Sequence, residues 1–206
     1  MNKTIRILIA DDHALMRMGL KSLLETQDDI EIVGEASDGR DAVRKAKKLR
    51  PDMVVMDIMM PESNGIEATR EIAETVPGVG ILILTTSASS YDLSQAIQSG
   101  ASGAVLKSEA NTRLLAAIRA VARGESGISP EVKSVLDTDP PVAELTPRQL
   151  EVLEGMSRGL SNKEIAIALS CSPESVKDRI NTIYTKLGAA NRSEAIAIAI
   201  KKHILS

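Results

Sequence analysis

The alternation of apolar and polar positions changes character once along the chain. Up to about residue 124, short apolar runs alternate with segments of helical spacing, whereas beyond residue 144 only helical spacing remains. The runs Ile5–Ala10, Ile30–Glu35, Met53–Met56, Gly80–Leu84 and Gly103–Leu106 are apolar on both faces and rich in Ile, Val and Leu. That pattern predicts strands buried within a parallel sheet. The last helical segment is the clearest: Leu114, Leu115, Ile118, Val121 and Ala122 recur at helical spacing before a stop at Gly124. Five strands alternating with helices predict a doubly wound α/β domain over residues 1–124.

Gly127, Pro130 and the run Asp137-Thr138-Asp139-Pro140-Pro141 interrupt the pattern, so residues 125–143 read as a linker with room for one helical turn. Four helices follow over residues 144–206, their starts marked by capping residues. Thr146-Pro147-Arg148-Gln149 combines a capping Thr, Pro in the first helical position and Gln three residues on. Ser161-Asn162-Lys163-Glu164 is a second capping box, Ser172-Pro173 starts a third helix and Asn191-Arg192-Ser193-Glu194 a fourth. Apolar faces run through Leu150, Val152 and Leu153, then Ile165, Ala168 and Leu169. They continue through Val176, Ile180, Ile183 and Leu187, and finally Ala195, Ile196, Ala199 and Ile200. Only Ser170-Cys171-Ser172 separates the second and third helices, the length of a helix-turn-helix turn.

Composition narrows the chemistry. The 206 residues include two Tyr but no Phe or Trp, so the cores are aliphatic, and single-stranded nucleic acid finds no stacking platform. One cysteine, Cys171, excludes an intramolecular disulfide and a cysteine zinc cage; it reads as a small buried residue near the turn. His13 and His203 are too far apart in sequence to suggest a metal pair, and His13 reads as the start of the first helix. Met1-Asn2-Lys3-Thr4 leads straight into a strand and no apolar run spans a bilayer, so a soluble cytoplasmic protein is expected. The net charge of −3 divides unevenly: residues 1–143 carry −5 and residues 144–206 carry +2. The mildly basic second part permits contact with nucleic acid without demanding it.

Asp11 and Asp12 follow the first predicted strand, Asp57 the third, Thr85 the fourth and Lys107 the fifth. A doubly wound sheet gathers such strand ends into one crevice. Three close carboxylates repel, and a hard divalent cation such as Mg²⁺ relieves them. A carboxylate is also a competent nucleophile toward phosphorus, with metal and lysine neutralising the transferred charge. These residues, with Asp57-Ile-Met-Met-Pro61-Glu-Ser-Asn-Gly65 and Ala104-Val-Leu-Lys107, resemble the flavodoxin-like receiver domain of two-component response regulators over residues 5 to 123. The resemblance implies Asp57 as phosphoacceptor, and Asp11, Asp12 and the Met59 backbone carbonyl as partners in placing Mg²⁺. Lys107 would pair with phosphoryl oxygens, and Thr85 would move toward the phosphoryl group. It also implies a sensor histidine kinase as donor. Ala104 departs from the family, which commonly has an aromatic switch residue there; Tyr91 is the nearest substitute. Met59 and Ser87 stand where family side chains tune attack by water, and a thioether orients no water, so slow self-dephosphorylation is expected. Met59 and Met60 read as packing residues.

In the third C-terminal helix, Lys177 and Asn181 lie four apart on a polar face, a spacing suited to the major groove of double-stranded DNA. Lys163, Arg179 and Arg192 are candidates for the phosphate backbone. The segments Leu145–Leu153, Gly159–Ala166, Ser175–Arg179 and Lys186–Ala195 resemble a LuxR-type DNA-binding domain. Together the two parts resemble the NarL/FixJ class of response regulators. That resemblance implies a homodimer on activation, paired through the last helix at Ala195, Ile196 and Ala199. Arg179 stands where the family commonly has His, and Asp178 places a carboxylate near the DNA, able to accept from cytosine N4. Two other classes remain: an Asp-nucleophile phosphohydrolase, and an adaptor acting through protein contacts alone. The hydrolase normally carries a second carboxylate two residues after its nucleophile, where this chain has Met59.

Overall fold

In a computed structural model, residues 4–60, 64–86, 89–138, 145–202 and 204–205 are described. The chain divides into two compact units, Met1–Asp139 and Pro140–Ser206.

The first unit runs β1 (Ile5–Ala10), α1 (Ala14–Leu24), β2 (Ile30–Ala36), α2 (Gly39–Leu49), β3 (Met53–Met56) and α3 (Gly65–Thr75). It continues with β4 (Gly80–Thr85), α4 (Ser90–Gln98), β5 (Gly103–Leu106), α5 (Asn111–Ala122), β6 (Gly127–Ile128) and α6 (Pro130–Thr138). The strands form one parallel sheet in the order β2-β1-β3-β4-β5-β6. Alternate residues of each strand serve opposite layers, as the two-residue period of a pleated strand requires. Leu8, Val54, Ile81, Ile83 and Ala104 pack with α2, α3, α4 and Val132 of α6. Ile7, Ile9, Val55, Leu82 and Val105 pack with Leu20 and Leu24 of α1 and with Leu114, Ile118 and Val121 of α5.

The sheet has six strands rather than five, and the linker expected over 125–143 is in large part structured. Gly127–Ile128 adds to the sheet edge beside Gly103 and Ala104, and α6 contributes the fully buried Val132 to the core. A two-residue strand has no period to detect. Its backbone approaches so closely that a Cβ on Gly103 would sit 2.7 Å from the Gly127 Cα. The remainder of that expected linker, with Asp139, Pro140, Pro141 and the predicted domain start at residue 144, lies outside the described residues.

The second unit is helical: α7 (Pro147–Ser157), α8 (Asn162–Ala168), α9 (Pro173–Leu187) and α10 (Arg192–Lys201). All four expected caps form. Thr146 with Gln149 and Ser161 with Glu164 make reciprocal capping boxes, while Ser172 and Asn191 accept from the N–H groups of Ser175 and Glu194. Each cap satisfies a helix-end donor and is worth about 1 kcal/mol. Val152, Leu153, Ile165, Val176, Ile180, Ile183, Ala195 and Ala199 form the core. Ala168 and Ile200, expected on apolar inner faces, are exposed. No helix among the described residues is long and apolar enough to cross a membrane.

Candidate phosphoacceptor site and nucleic-acid interface

The register of the sheet assembles the acidic site. Ala10 pairs with Met56 and Thr85 with Leu106, so the residues that follow them leave the sheet at one end. The Asp57 N–H donates to the Ala10 carbonyl at 2.8 Å and the Lys107 N–H to the Thr85 carbonyl at 2.8 Å. The loop after β3 then turns back so tightly that a Cβ on Gly65 would lie 2.0 Å from the Asp57 carbonyl oxygen. Only glycine fits there, which gives the Gly65 of the motif its physical reason.

Lys107 Nζ lies 2.6 Å from Asp11 Oδ2 and 2.6 Å from Asp57 Oδ2. Both carboxylates are 2% exposed, so their charge is screened by this ammonium rather than by solvent. Burial pushes the Asp57 carboxyl above its ordinary range; the Lys107 hydrogen bond opposes that rise and the negative Asp11 adds to it. Burial alone would lower Lys107, yet its bonds to Asp11 and Asp57 prevail and hold the ammonium charged. Three acidic groups and one lysine leave an uncompensated negative charge.

That excess has a natural location. Asp12 Oδ1 is buried and accepts no hydrogen bond from the described residues, although it lies at ion-pair distance, 2.8 Å, from His13 Nδ1. Ligand atoms of Asp11, Asp12, His13 and Asp57 lie within 4.8 Å of one another. A buried carboxylate oxygen that accepts no hydrogen bond from the described residues, grouped with two further carboxylates, fits a hard divalent cation. The backbone N–H of Met59 donates to Asp57 Oδ1 at 3.3 Å, so this residue reaches the site through its main chain. Its side chain is 54% exposed, unlike the buried Met60, so of the two expected packing residues only Met60 packs.

A cavity of about 340 Å³ opens beside Asp57 and Lys107, walled by His13, Leu15, Met59 and Thr86. Thr85 is fully buried, and Thr86, the adjacent hydroxyl that the sequence reading passed over, lines the cavity instead. Arg17 was also missed. Its Nη1 donates to the Asp11 carbonyl at 2.7 Å and the Asp12 carbonyl at 3.2 Å, holding the acidic loop from behind. His13 stands at the start of α1 as expected, without a side-chain cap bond, and in addition borders the carboxylates. Tyr91 is half-buried on α4, and Ser87 lies outside the described residues.

In the second unit, Lys177, Asp178 and Asn181 are exposed along α9, and Lys163 is exposed on α8. Arg179 is half-buried, with Nη1 3.7 Å from the sulfur of the half-buried Cys171. Two expectations are corrected. One Arg192 nitrogen donates to the carbonyls of Met156 and Leu160 at 3.0 and 2.7 Å, so this arginine closes the end of α7 rather than standing free for phosphate. Ala195 and Ala199 are 0% exposed core residues and cannot line a pairing face, and Ile196 is only half-exposed. The outer side of α10 carries Glu194, Ala197, Ile200 and Lys201.

Comparison with known proteins agrees with both halves. Residues 7–119 match the response regulator receiver domain family, and residues 143–199 match the family of bacterial regulatory proteins of the luxR type. The response regulator protein VraR of Staphylococcus aureus is 34% identical over 98% of this chain and 99% of its own. The crystal structure of ChrA, a response regulator in a heme-sensing two-component system, is 37% identical, covers 98% of this chain and 99% of its own, and has a TM-score of 0.58. RcsB from Salmonella enterica serovar Typhimurium, bound to a promoter in the presence of the phosphomimetic BeF3⁻, is 27% identical with a TM-score of 0.70. That likeness covers 95% of this chain and 98% of that one.

Proposed function

We propose, from the premise that this chain belongs to the response regulators joining a receiver domain to a LuxR-type DNA-binding domain, that Asp57 accepts a phosphoryl group and thereby governs the binding of duplex DNA. The observation that carries the reading is the Asp57 carboxylate, buried, tied to Lys107 and opening onto a cavity. A bound Mg²⁺ would be held by Asp11, Asp12, Asp57 and the Met59 main-chain carbonyl, and would neutralise charge on the phosphoryl oxygens. Asp57 attacks phosphorus, the Oδ–P bond forms, and the bond from phosphorus to the donor's leaving group breaks. Lys107, already charged at the Asp57 oxygen, is positioned to exchange that contact for a phosphoryl oxygen. The exposed Leu15 and Met59 that line the opening suit an approaching apolar protein surface, consistent with a histidine kinase as donor. With the side chain of Met59 where a hydrolase needs its second carboxylate, the chain acts as an acceptor in the cytoplasm rather than as a turnover catalyst.

The DNA-binding surface is the exposed row Lys177, Asp178 and Asn181, supported by Lys163. Homodimers reading two half-sites would pair through the outer residues of α10, with Ile200 at their centre. The test is direct. Acetyl phosphate with Mg²⁺ is expected to add one phosphoryl group at Asp57, and native protein is expected to retard duplex DNA that Asp57→Ala does not. Absence of an adduct refutes the acceptor role, and equal retardation by both proteins refutes phosphorylation control.

A further inference from the structure

The turn that carries Lys107 is closed by a residue to which neither the sequence reading nor the phosphoacceptor chemistry gives a role. The Glu109 N–H donates to the Leu106 carbonyl at 3.0 Å, and its carboxylate folds back so that Oε1 accepts from the Leu106 N–H at 2.8 Å. Both main-chain groups of the residue before Lys107 are therefore engaged by one side chain and its own backbone. The same Oε1 also accepts from the Ser129 hydroxyl at 2.6 Å.

Ser129 is no ordinary surface serine. It is 5% exposed, and its oxygen accepts from the Val132 N–H at 3.2 Å, capping the first turn of α6. Its own N–H donates to the Ala104 carbonyl at 2.9 Å, joining α6 to β5. Val132, fully buried, packs in the same cluster as Ala104 and as Leu93 and Ala96 of α4. Thr85 shares the strand face of Ile81 and Ile83, which belong to that cluster. One carboxylate thus ties the lysine turn to the cap of α6, the last described element before the chain passes to the DNA-binding unit.

We propose that Glu109 is a positioning residue for Lys107 and the link through which the phosphoryl state of Asp57 reaches α6. The proposal rests on the phosphoacceptor reading above. When Lys107 exchanges Asp57 Oδ2 for a phosphoryl oxygen, its turn shifts with it, and the short 2.6 Å bond from Ser129 to Glu109 carries the shift to the cap of α6. Because coupling is reciprocal, loosening α6 also alters the turn that holds Lys107. With Ala104 in β5, the relay runs through this carboxylate rather than through an aromatic ring.

Hydrogen exchange of residues 130–138 in the full chain, with and without beryllofluoride, tests the proposal, with the adduct at Asp57 verified by mass. Native protein is expected to change its α6 exchange several-fold when the adduct forms. Without any adduct, Glu109→Ala is expected to exchange α6 roughly tenfold faster, the effect of about one lost hydrogen bond. Glu109→Ala is also expected to lose the adduct-dependent change while still forming the adduct. Glu109→Gln keeps an acceptor oxygen and is expected to restore both properties. The proposal is overturned if native α6 ignores a verified adduct, if Glu109→Ala behaves as native, or if Glu109→Gln fails as Glu109→Ala does. A native chain that forms no adduct contradicts the phosphoacceptor reading and removes the signal to be relayed. The comparison of unmodified proteins then still reports whether Glu109 holds α6.

Discussion

The acidic site and the exposed polar row of α9 are built by opposite routes. The acidic site collects Asp11, Asp57 and Lys107 from the ends of three strands and buries them together, so each group's ionisation depends on the others. By contrast, α9 presents Lys177 and Asn181 from a single element, exposed and started by its own Ser172 cap. Chemistry made by tertiary assembly is strongly coupled, whereas a surface made by one amphipathic helix is close to additive.

The largest expected effect tests that coupling. Lys107→Ala leaves two buried carboxylates without their cation, and a loss of about 3 kcal/mol in stability is expected, together with loss of the phosphorylation response. Adding Asp57→Asn to that variant removes one stranded charge and is expected to recover much of the loss. Urea denaturation of the four proteins in the cycle measures it, and simple additivity breaks the comparison.

A smaller effect is expected on the DNA side. Lys177→Ala and Asn181→Ala should each weaken binding to a specific duplex by about 1–2 kcal/mol, add nearly independently, and leave the melting temperature almost unchanged. Arg192→Ala should do the reverse. It loses its bonds to the Met156 and Leu160 carbonyls, so about 1–2 kcal/mol of stability should go while the salt slope of DNA binding stays constant. Titrations at several salt concentrations, paired with thermal melts, separate the two classes.

The smallest effect is one of sign with pH. Arg119 donates to both oxygens of Asp29 and holds that carboxyl below its ordinary range. Stability from this half-exposed pair, at most about 1 kcal/mol, is present above the unfolded pKa near 3.8 and is lost as pH falls through the lower folded value. Asp57 runs the other way. Its folded pKa is raised, so without a cation the folded state loses stability as pH rises from the unfolded value through the folded one. Asp29→Asn should therefore destabilise at neutral pH and Asp57→Asn should stabilise; equal signs in the two melts would contradict the burial assigned to Asp57.

Local signals were legible wherever a short stretch of chain suffices. Five strands and all four C-terminal caps were readable because burial on both faces and capping stereochemistry act over a few residues. Ser129-Pro130 carries the same Ser-Pro start signal as Ser172-Pro173, yet Gly127 and Pro130 read as breaks because the two-residue β6 shows no period. Misjudged faces had another cause. Ala195, Ile196, Ala199 and Ile200 all lie on an apolar α10 of nearly uniform character, so spacing could not say which side turns inward.

Sequence alone determined the order of the first five strands and their helices and of the four C-terminal helices, the identity of the acidic residues and lysine, and the helix that carries the polar row. Those properties follow from chain-local sterics, hydrogen bonding and amphipathic period. Tertiary structure alone decided that Thr86 rather than Thr85 lines the cavity, that Arg192 closes a helix end, and that Glu109 joins the lysine turn to α6. Such contacts depend on which surfaces are excluded from water together, and no stretch of the chain encodes that by itself.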